Sequence, residues 1–284
     1  MLKLYILIFF LYPPTVQPQV STVIFNKGVN KQVIKDWSDS LLKRATVDST
    51  TYITKKVGGK DKLHRVGHRD TVIWIPYTTD LSKEFTVVLW FHGHRGYVPR
   101  RTFQDRVLKQ FIPYVGLKNF VVVIPELPWS IHTKTPTARN GKVWPQPGDF
   151  MEFISQTRGV LITHAALAEL GKIDYKVVGH SAGGSVIKRV SLTGDLCKIN
   201  LSMVVWSDST YGKWLKDAWS GCLGSVKVPT EVFVRKFGPP WKNALKFMKE
   251  PKSYPEFLHL HVKQKPWTHK LIGNSIVKLS GVLD

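Results

Sequence analysis

Cysteine is scarce in this 284-residue sequence, which contains only Cys197 and Cys222. Two cysteines exclude a small fold held together by several disulfides and supply too few thiolates for a cysteine-rich zinc site. They could pair if the chain is exported, and two free buried thiols are the alternative. The His-x-His pairs at 92–94 and 259–261 have no further cysteine or carboxylate beside them, so we predict no metal site.

Acidic residues are also few, since 20 Asp and Glu face 41 Lys and Arg, for a formal net charge of +21. Such an excess attracts nucleic acid, anionic lipid or acidic envelope polymers. The basic residues are spread along the whole chain, and no RNA- or DNA-binding module can be recognised. We therefore expect a generally basic surface that associates with an anionic membrane or polymer, and no specific binding of nucleic acid.

Long apolar runs are missing except at the N-terminus, where Lys3 precedes an apolar run over residues 4–12. The run is shorter than the roughly 20 residues that span a bilayer and fits the apolar region of a secretory signal. No pair of small residues marks a cleavage site. We predict a signal peptide or apolar segment over residues 1–22, secretion, and one domain over 23–284. A membrane-associated N-terminal segment is the alternative.

Beyond residue 70, short β-branched and aromatic runs alternate with helical stretches. These runs predict strands at 70–77, 85–91, 119–124, 174–178, 202–206, 230–234 and 257–262. Helices are expected at 33–44, 101–114 and 150–170, the last with Gly171 as its C-cap, and a long loop at 125–147. The alternation predicts an α/β fold with a mostly parallel central sheet and helices on both faces.

The strongest chemical signal lies directly after the strand at 174–178, where residues 179–183 read GHSAG. A G-x-S-x-G turn between a strand and a helix holds its serine, here Ser181, above the edge of the sheet. The N-terminus of the following helix offers the Ala182 N–H to a developing oxyanion. The alternative is a glycine-rich turn that packs tightly or binds phosphate, although no P-loop or G-x-G-x-x-G spacing accompanies it.

From about residue 70 to the C-terminus, the chain resembles the α/β-hydrolase superfamily. The matching pieces are FHGH at 91–94 after one strand, the GHSAGG turn, an aspartate after a later strand and a histidine near the end. The resemblance implies that the loop after the strand at 85–91 supplies a second oxyanion donor, the N–H of His94. An ordinary turn with two solvated histidines is the alternative. No single member of the superfamily is indicated.

The same resemblance implies the chain order serine, acid, histidine. Of the three histidines after Ser181, two lie inside the last predicted strand, whereas His269 follows it in a loop and is the expected base. Asp208 ends a strand and is the expected acid; the alternative is a surface aspartate that caps the next turn. The superfamily more often places its acid after the next strand, where this chain has Arg235 and no acid.

These residues predict a serine hydrolase that cleaves a carboxylic ester through an acyl-enzyme on Ser181, with no cofactor. Amidase, peptidase or thioesterase chemistry would use the same residues, and a non-catalytic binding protein of the same fold is a further alternative. We expect Trp129, Tyr211 and Trp267 to contact the substrate. Three further tryptophans belong either to the rim of the site or to the core: Trp144, Trp206 and Trp214. The segment 209–228 could form a small lid but is too short for a large cap.

Overall fold

The structure is a computed structural model that describes residues 71–94, 102, 106–125, 127, 144, 146–249 and 257–284, together with the backbone of three earlier strands at 22–25, 52–57 and 60–65. The apolar run at 4–12, the helix expected at 33–44, most of the loop at 125–147 and Trp129 lie outside the described residues.

Ten strands are described, and eight of them form one sheet in the order β1-β4-β6-β5-β7-β8-β9-β10. They are β1 (Thr22–Phe25), β2 (Tyr52–Val57), β3 (Lys60–Arg65), β4 (Thr71–Trp74), β5 (Phe85–Phe91), β6 (Phe120–Pro125), β7 (Ile173–His180), β8 (Leu201–Ser207), β9 (Thr230–Arg235) and β10 (Leu258–Lys263). Only the β4–β6 pair of this sheet is antiparallel, and β2 pairs separately with β3. The predicted mostly parallel sheet is confirmed.

The described α-helices are α1 (Leu108–Phe111), α2 (Asp149–Ala165), α3 (Gly184–Leu192), α4 (Trp214–Ala218), α5 (Pro239–Met248) and α6 (His269–Ser280). Within the described part of the helix predicted at 101–114, the α-helical residues are those of α1, which ends where the chain tightens into a 3₁₀ turn at Pro113. The helix α2 ends at Ala165, five residues before the end predicted at residue 170, because Ala166 takes the left-handed C-cap conformation in place of Gly171.

The core lies on both faces of the sheet. Successive side chains of β5 show this, because they point alternately to the two faces. Val87, Leu89 and Phe91 belong to a buried cluster that includes residues of α2, α3, α4 and α5. Val88 and Trp90 point to the opposite face and pack with residues of α1 and α6. Helices therefore cover both faces, and the carboxyl ends of the parallel strands stay free at one edge.

The segment considered for a small lid, residues 209–228, belongs to this core. Leu215 and Ala218 of α4 are buried in the cluster on the α3 side of the sheet. A disulfide joins Cys197, in the turn before β8, to Cys222 in the helical turn after α4. Within the described residues there is no separate cap domain, and none of the helices there is long and apolar enough to cross a bilayer.

Candidate active site

Ser181 lies in a strained turn at the carboxyl end of β7. Its φ angle is +54°, a conformation that side chains with a Cβ rarely adopt. The turn Ser181–Gly183 leads directly into α3. A Cβ at Gly183 would overlap the Phe91 carbonyl oxygen, so glycine is required for the helix to approach β5 this closely. The strand, the strained serine and the helix therefore form the strand–turn–helix arrangement that the sequence predicts.

The loop after β5 lies against this serine. A Cβ at Gly93 would lie 2.7 Å from Ser181 Cβ. His92 is buried, and its Nε2 accepts the Leu127 N–H at 2.9 Å, so its Nδ1 carries the proton and donates to the Gly93 carbonyl at 2.8 Å. The alternative of two solvated histidines is therefore wrong for His92, which fixes the loop, while His94 is exposed.

The structure brings Asp208 and His269 together. Asp208 Oδ2 lies 2.7 Å from His269 Nδ1, and the aspartate is fully buried at the end of β8. A carboxylate at Nδ1 holds the proton there and leaves Nε2 free to accept one. The alternative of a surface capping aspartate is therefore wrong. The loop position expected for His269 is also wrong, because Thr268 caps α6 and His269 is its first residue.

Arg235 is a site residue that the sequence analysis did not assign. Its backbone N–H donates to Asp208 Oδ1 at 3.3 Å, and its Nε forms an ion pair with Oδ2 at 3.4 Å. Because β9 lies beside β8, the end of β9 reaches the aspartate. The position where the superfamily more often has its acid thus carries a cation that compensates the buried carboxylate. In the sequence, the signal that could have identified Arg235 was its position at the end of β9, the strand that follows β8.

The Tyr211 phenol lies close enough to the Ser181 side chain for Ser181 to influence its pKa. Burial, and next the charge of Asp208, raise the pKa of the Tyr211 phenol, so this hydroxyl stays protonated at neutral pH. Within the described residues, the Ser181 hydroxyl is not hydrogen-bonded to His269. Catalytic hydrogen bonds are often long in the absence of substrate, so this geometry is compatible with a nucleophile and its base.

The other aromatic residues considered for the rim of the site take different positions. Trp144 and Trp206 are buried in the core. Trp267 is half-buried and packs against the cluster that contains α1 and α6, with Lys263 Nζ 5.7 Å from its ring centroid. Trp214 packs edge-on against the ring of Tyr211. Of the described residues expected to contact substrate, Tyr211 is the one that lies near Ser181.

Histidines and carboxylates also meet on the edge strand of the sheet. His259 Nδ1 and His261 Nε2 lie 2.7 and 2.6 Å from the two carboxylate oxygens of Glu231. Across the described part of the chain, no group of three or more His, Cys, Asp or Glu is arranged to hold a metal ion. These two histidines therefore engage a carboxylate of β9, apart from the Asp208–His269 pair.

No protein-family model and no curated protein sequence matches this chain. Several solved structures resemble it. A thermostable esterase is 12% identical with a TM-score of 0.49, and the match covers 80% of this chain but only 58% of the esterase. The fluorophosphonate-binding serine hydrolase FphF of Staphylococcus aureus is 9% identical, with a TM-score of 0.48 and coverage of 82% and 97%. A monoglyceride lipase variant from Saccharomyces cerevisiae is 10% identical, with a TM-score of 0.42 and coverage of 75% and 85%.

The strand order of the sheet explains why Ser181, Asp208 and His269 lie at one edge. Ser181 follows β7 and Asp208 follows its parallel neighbour β8, so both lie at the edge where these strands end. His269 reaches that edge from the helix after the last strand. The sheet is mostly parallel, helices cover both of its faces, and the serine lies in a strained turn between a strand and a helix. Together with the positions of Ser181, Asp208 and His269, these features show that the chain has the α/β-hydrolase fold.

Proposed function

We propose that this chain is a serine hydrolase that cleaves a carboxylic ester through an acyl-enzyme on Ser181. The observation that carries the proposal is the buried Asp208–His269 pair at the same sheet edge as a serine in a strained turn. A serine hydroxyl is a weak nucleophile until a base takes its proton. Asp208 orients the His269 ring, whose free Nε2 accepts that proton.

The reaction then follows from the groups around Ser181. Ser181 Oγ attacks the acyl carbonyl, and the N–H groups of Ala182 and His94 stabilise the negative charge that develops on its oxygen. The close approach of the Gly93 backbone to Ser181 supports the role of this loop. His269 returns its proton to the leaving alcohol, and water, activated by the same histidine, releases the acyl group. This chemistry uses no metal or organic cofactor.

An ester panel tests the proposal directly. Matched p-nitrophenyl esters, thioesters and anilides of increasing acyl length separate esterase activity from thioesterase and amidase activity. We expect ester turnover that falls at least about a hundredfold in Ser181→Ala. Ser202→Ala is the control, because Ser202 lies at the opposite end of β8. Turnover of anilides or thioesters alone would reassign the chemistry, and no turnover by the folded protein would favour a binding function.

We also propose that the protein associates with anionic membrane or envelope polymer. The described stretches 232–249 and 257–283 contain nine Lys and Arg and no Asp or Glu. Phe237 is 72% exposed beside Lys236 in the loop after β9, on the same edge of the sheet as Asp208. Sedimentation with anionic vesicles should decline as salt is raised. Binding that is independent of salt, or no binding, would contradict the association.

Secretion is the localisation we propose. The apolar run at 4–12 and the disulfide between Cys197 and Cys222 support it, because disulfides persist in oxidising compartments. N-terminal sequencing of protein released from expressing cells should find a mature chain that lacks the apolar run. Retention of the intact N-terminus on membranes would favour the membrane-associated alternative instead.

A further inference from the structure

His180, the residue before Ser181, has a buried ring that lies beside the ring of His269. Its side chain is 3% exposed. The ring stacks on that of His269, with centroids 4.7 Å apart and an angle of 29° between the planes. A Cβ at Gly273 of α6 would overlap the His180 ring, so the glycine lets the helix close over it. The ring is therefore held between β7 and the helix that carries His269.

Arg106 determines which nitrogen of His180 carries the proton. Arg106 Nη1 lies 3.1 Å from His180 Nδ1. A guanidinium only donates hydrogen bonds, so Nδ1 is the acceptor and the proton resides on Nε2. That Nε2–H donates to the backbone carbonyl of His269 at 3.4 Å. Burial, followed by the charge of Arg106, lowers the pKa of His180 well below its usual range, so the ring stays neutral.

Gln110 of α1 forms hydrogen bonds to both sides of the pocket around His180, the backbone at Arg106 and helix α6. Its Nε2 donates to the carbonyls of Arg106 and Gly273, each at 3.0 Å. Its Oε1 accepts the Val277 N–H at 3.1 Å. The backbone that presents Arg106 and the helix that presents His269 are thus linked by one side-chain amide. The pocket around His180 cannot widen without breaking these bonds.

We infer that His180 is a positioning residue for the catalytic base: held by Arg106, it fixes both the imidazole and the backbone carbonyl of His269 so that Nδ1 stays on Asp208. Asp208 restrains only Nδ1 of the His269 ring. A single hydrogen bond leaves the ring free to rotate about the axis of that bond. The stacked His180 ring blocks that rotation, and the bond to the carbonyl fixes the first turn of α6. This role rests on the proposed function, in which His269 is the base.

Two substitutions separate the hydrogen bonds of His180 from its stacking. Glutamine in His180→Gln keeps an acceptor for Arg106 and a donor for the His269 carbonyl, whereas His180→Phe keeps only a stacking ring. We expect kcat for the best ester to fall about 10- to 100-fold in His180→Phe, with KM within about twofold, because the base is displaced rather than removed. His180→Gln should retain more activity than His180→Phe. Arg106→Gln should also lower kcat, as His180→Phe does.

A spectroscopic readout distinguishes positioning from general stability and does not require turnover. The Nδ1–H proton of His269, hydrogen-bonded to Asp208, should give a low-field proton NMR signal that is missing from His269→Ala. We expect this signal to shift or broaden in His180→Phe and Arg106→Gln and to persist in the controls His164→Phe and His164→Gln. His164 is a half-buried histidine near the end of α2.

Two measurements, the NMR signal and kcat, decide the positioning role. An unchanged signal, with kcat within about twofold of wild type in both His180→Phe and Arg106→Gln, would overturn the positioning role. If His180→Phe does not fold, His180→Gln and Arg106→Gln decide by the same two criteria. If the wild type turns over no ester, the proposed function fails on its own. The NMR signal in wild type and variants still decides whether His180 and Arg106 position His269.

Discussion

The carboxylate of Asp208 is a buried charge in the candidate site. It is fully buried, and it is compensated by His269 on one side and by Arg235 on the other. A buried carboxylate with two such partners is tolerated. If the carboxylate loses its charge, both His269 and Arg235 are left without a counterion. The tautomer of His269 is therefore set by a fully buried carboxylate.

Asp208→Asn tests this dependence. The amide keeps the shape of the side chain but can present an N–H to Nδ1, which favours the wrong tautomer of His269. We expect kcat to fall about 10³- to 10⁴-fold with the fold retained. Steady-state kinetics on the best ester, with circular dichroism as the fold check, measures it. Asp217→Asn on α4 is the matched control, and a loss smaller than tenfold in Asp208→Asn would speak against the assigned acid.

Individual site residues differ in how far sequence alone can predict them. Ser181 carries a local turn motif, and the resemblance to the α/β-hydrolase superfamily supplies the chain order that points to Asp208 and His269. Arg235 and His180 act through partners at sequence separations of 27 and 89, which no local pattern reveals. A known motif or chain order therefore points to the first three residues, and neither points to Arg235 or His180.

At the scale of elements, strands were predicted better than helices. Each strand predicted after residue 70 corresponds to an observed one, because apolar β-branched runs mark buried parallel strands. Two helices end earlier than predicted for local reasons, the 3₁₀ turn at Pro113 after α1 and the left-handed Ala166 after α2. The three strands before residue 70, β1, β2 and β3, were not predicted, because they are short and their patterns are weak.

The loop after β5 depends on glycine at position 93. In Gly93→Ala the added methyl would lie 2.7 Å from Ser181 Cβ, so the loop and its oxyanion donor must move away. We expect a loss of about 10² in kcat with a small change in stability. Gly159→Ala in α2 is the control, since its methyl meets nothing within 4 Å, and it should stabilise the helix by about 0.5–1 kcal/mol. Wild-type kcat in Gly93→Ala would contradict this account of the loop.

At the scale of the whole molecule, the alternation of strands and helices predicted the architecture, and pairing between distant segments completed it. The disulfide is an example, because the sequence left pairing and free thiols equally open. Cys197 and Cys222 are 25 residues apart, and their bond ties the segment after α4 to the turn before β8. That bond helps to keep residues 209–228 in the core, where a lid had been considered.

Removal of the disulfide should lower the stability of the whole domain. For a closed loop of this length, the double variant Cys197→Ser/Cys222→Ser should lose about 3 kcal/mol of unfolding free energy. Urea unfolding followed by tryptophan fluorescence measures the loss. Wild type unfolded in the presence of reductant should match the variant. Equal stability of oxidised wild type and variant would show that the cross-link contributes nothing to the fold.

The central claim is that Ser181 is a nucleophile activated by His269, and fluorophosphonate labelling with peptide mapping tests it most directly. The account predicts one label per folded chain, located on Ser181. The label should be absent in Ser181→Ala, form at least about a hundredfold more slowly in His269→Ala, and be unchanged in Ser202→Ala. A folded wild type that takes no label, or takes it on another residue, would contradict the claim.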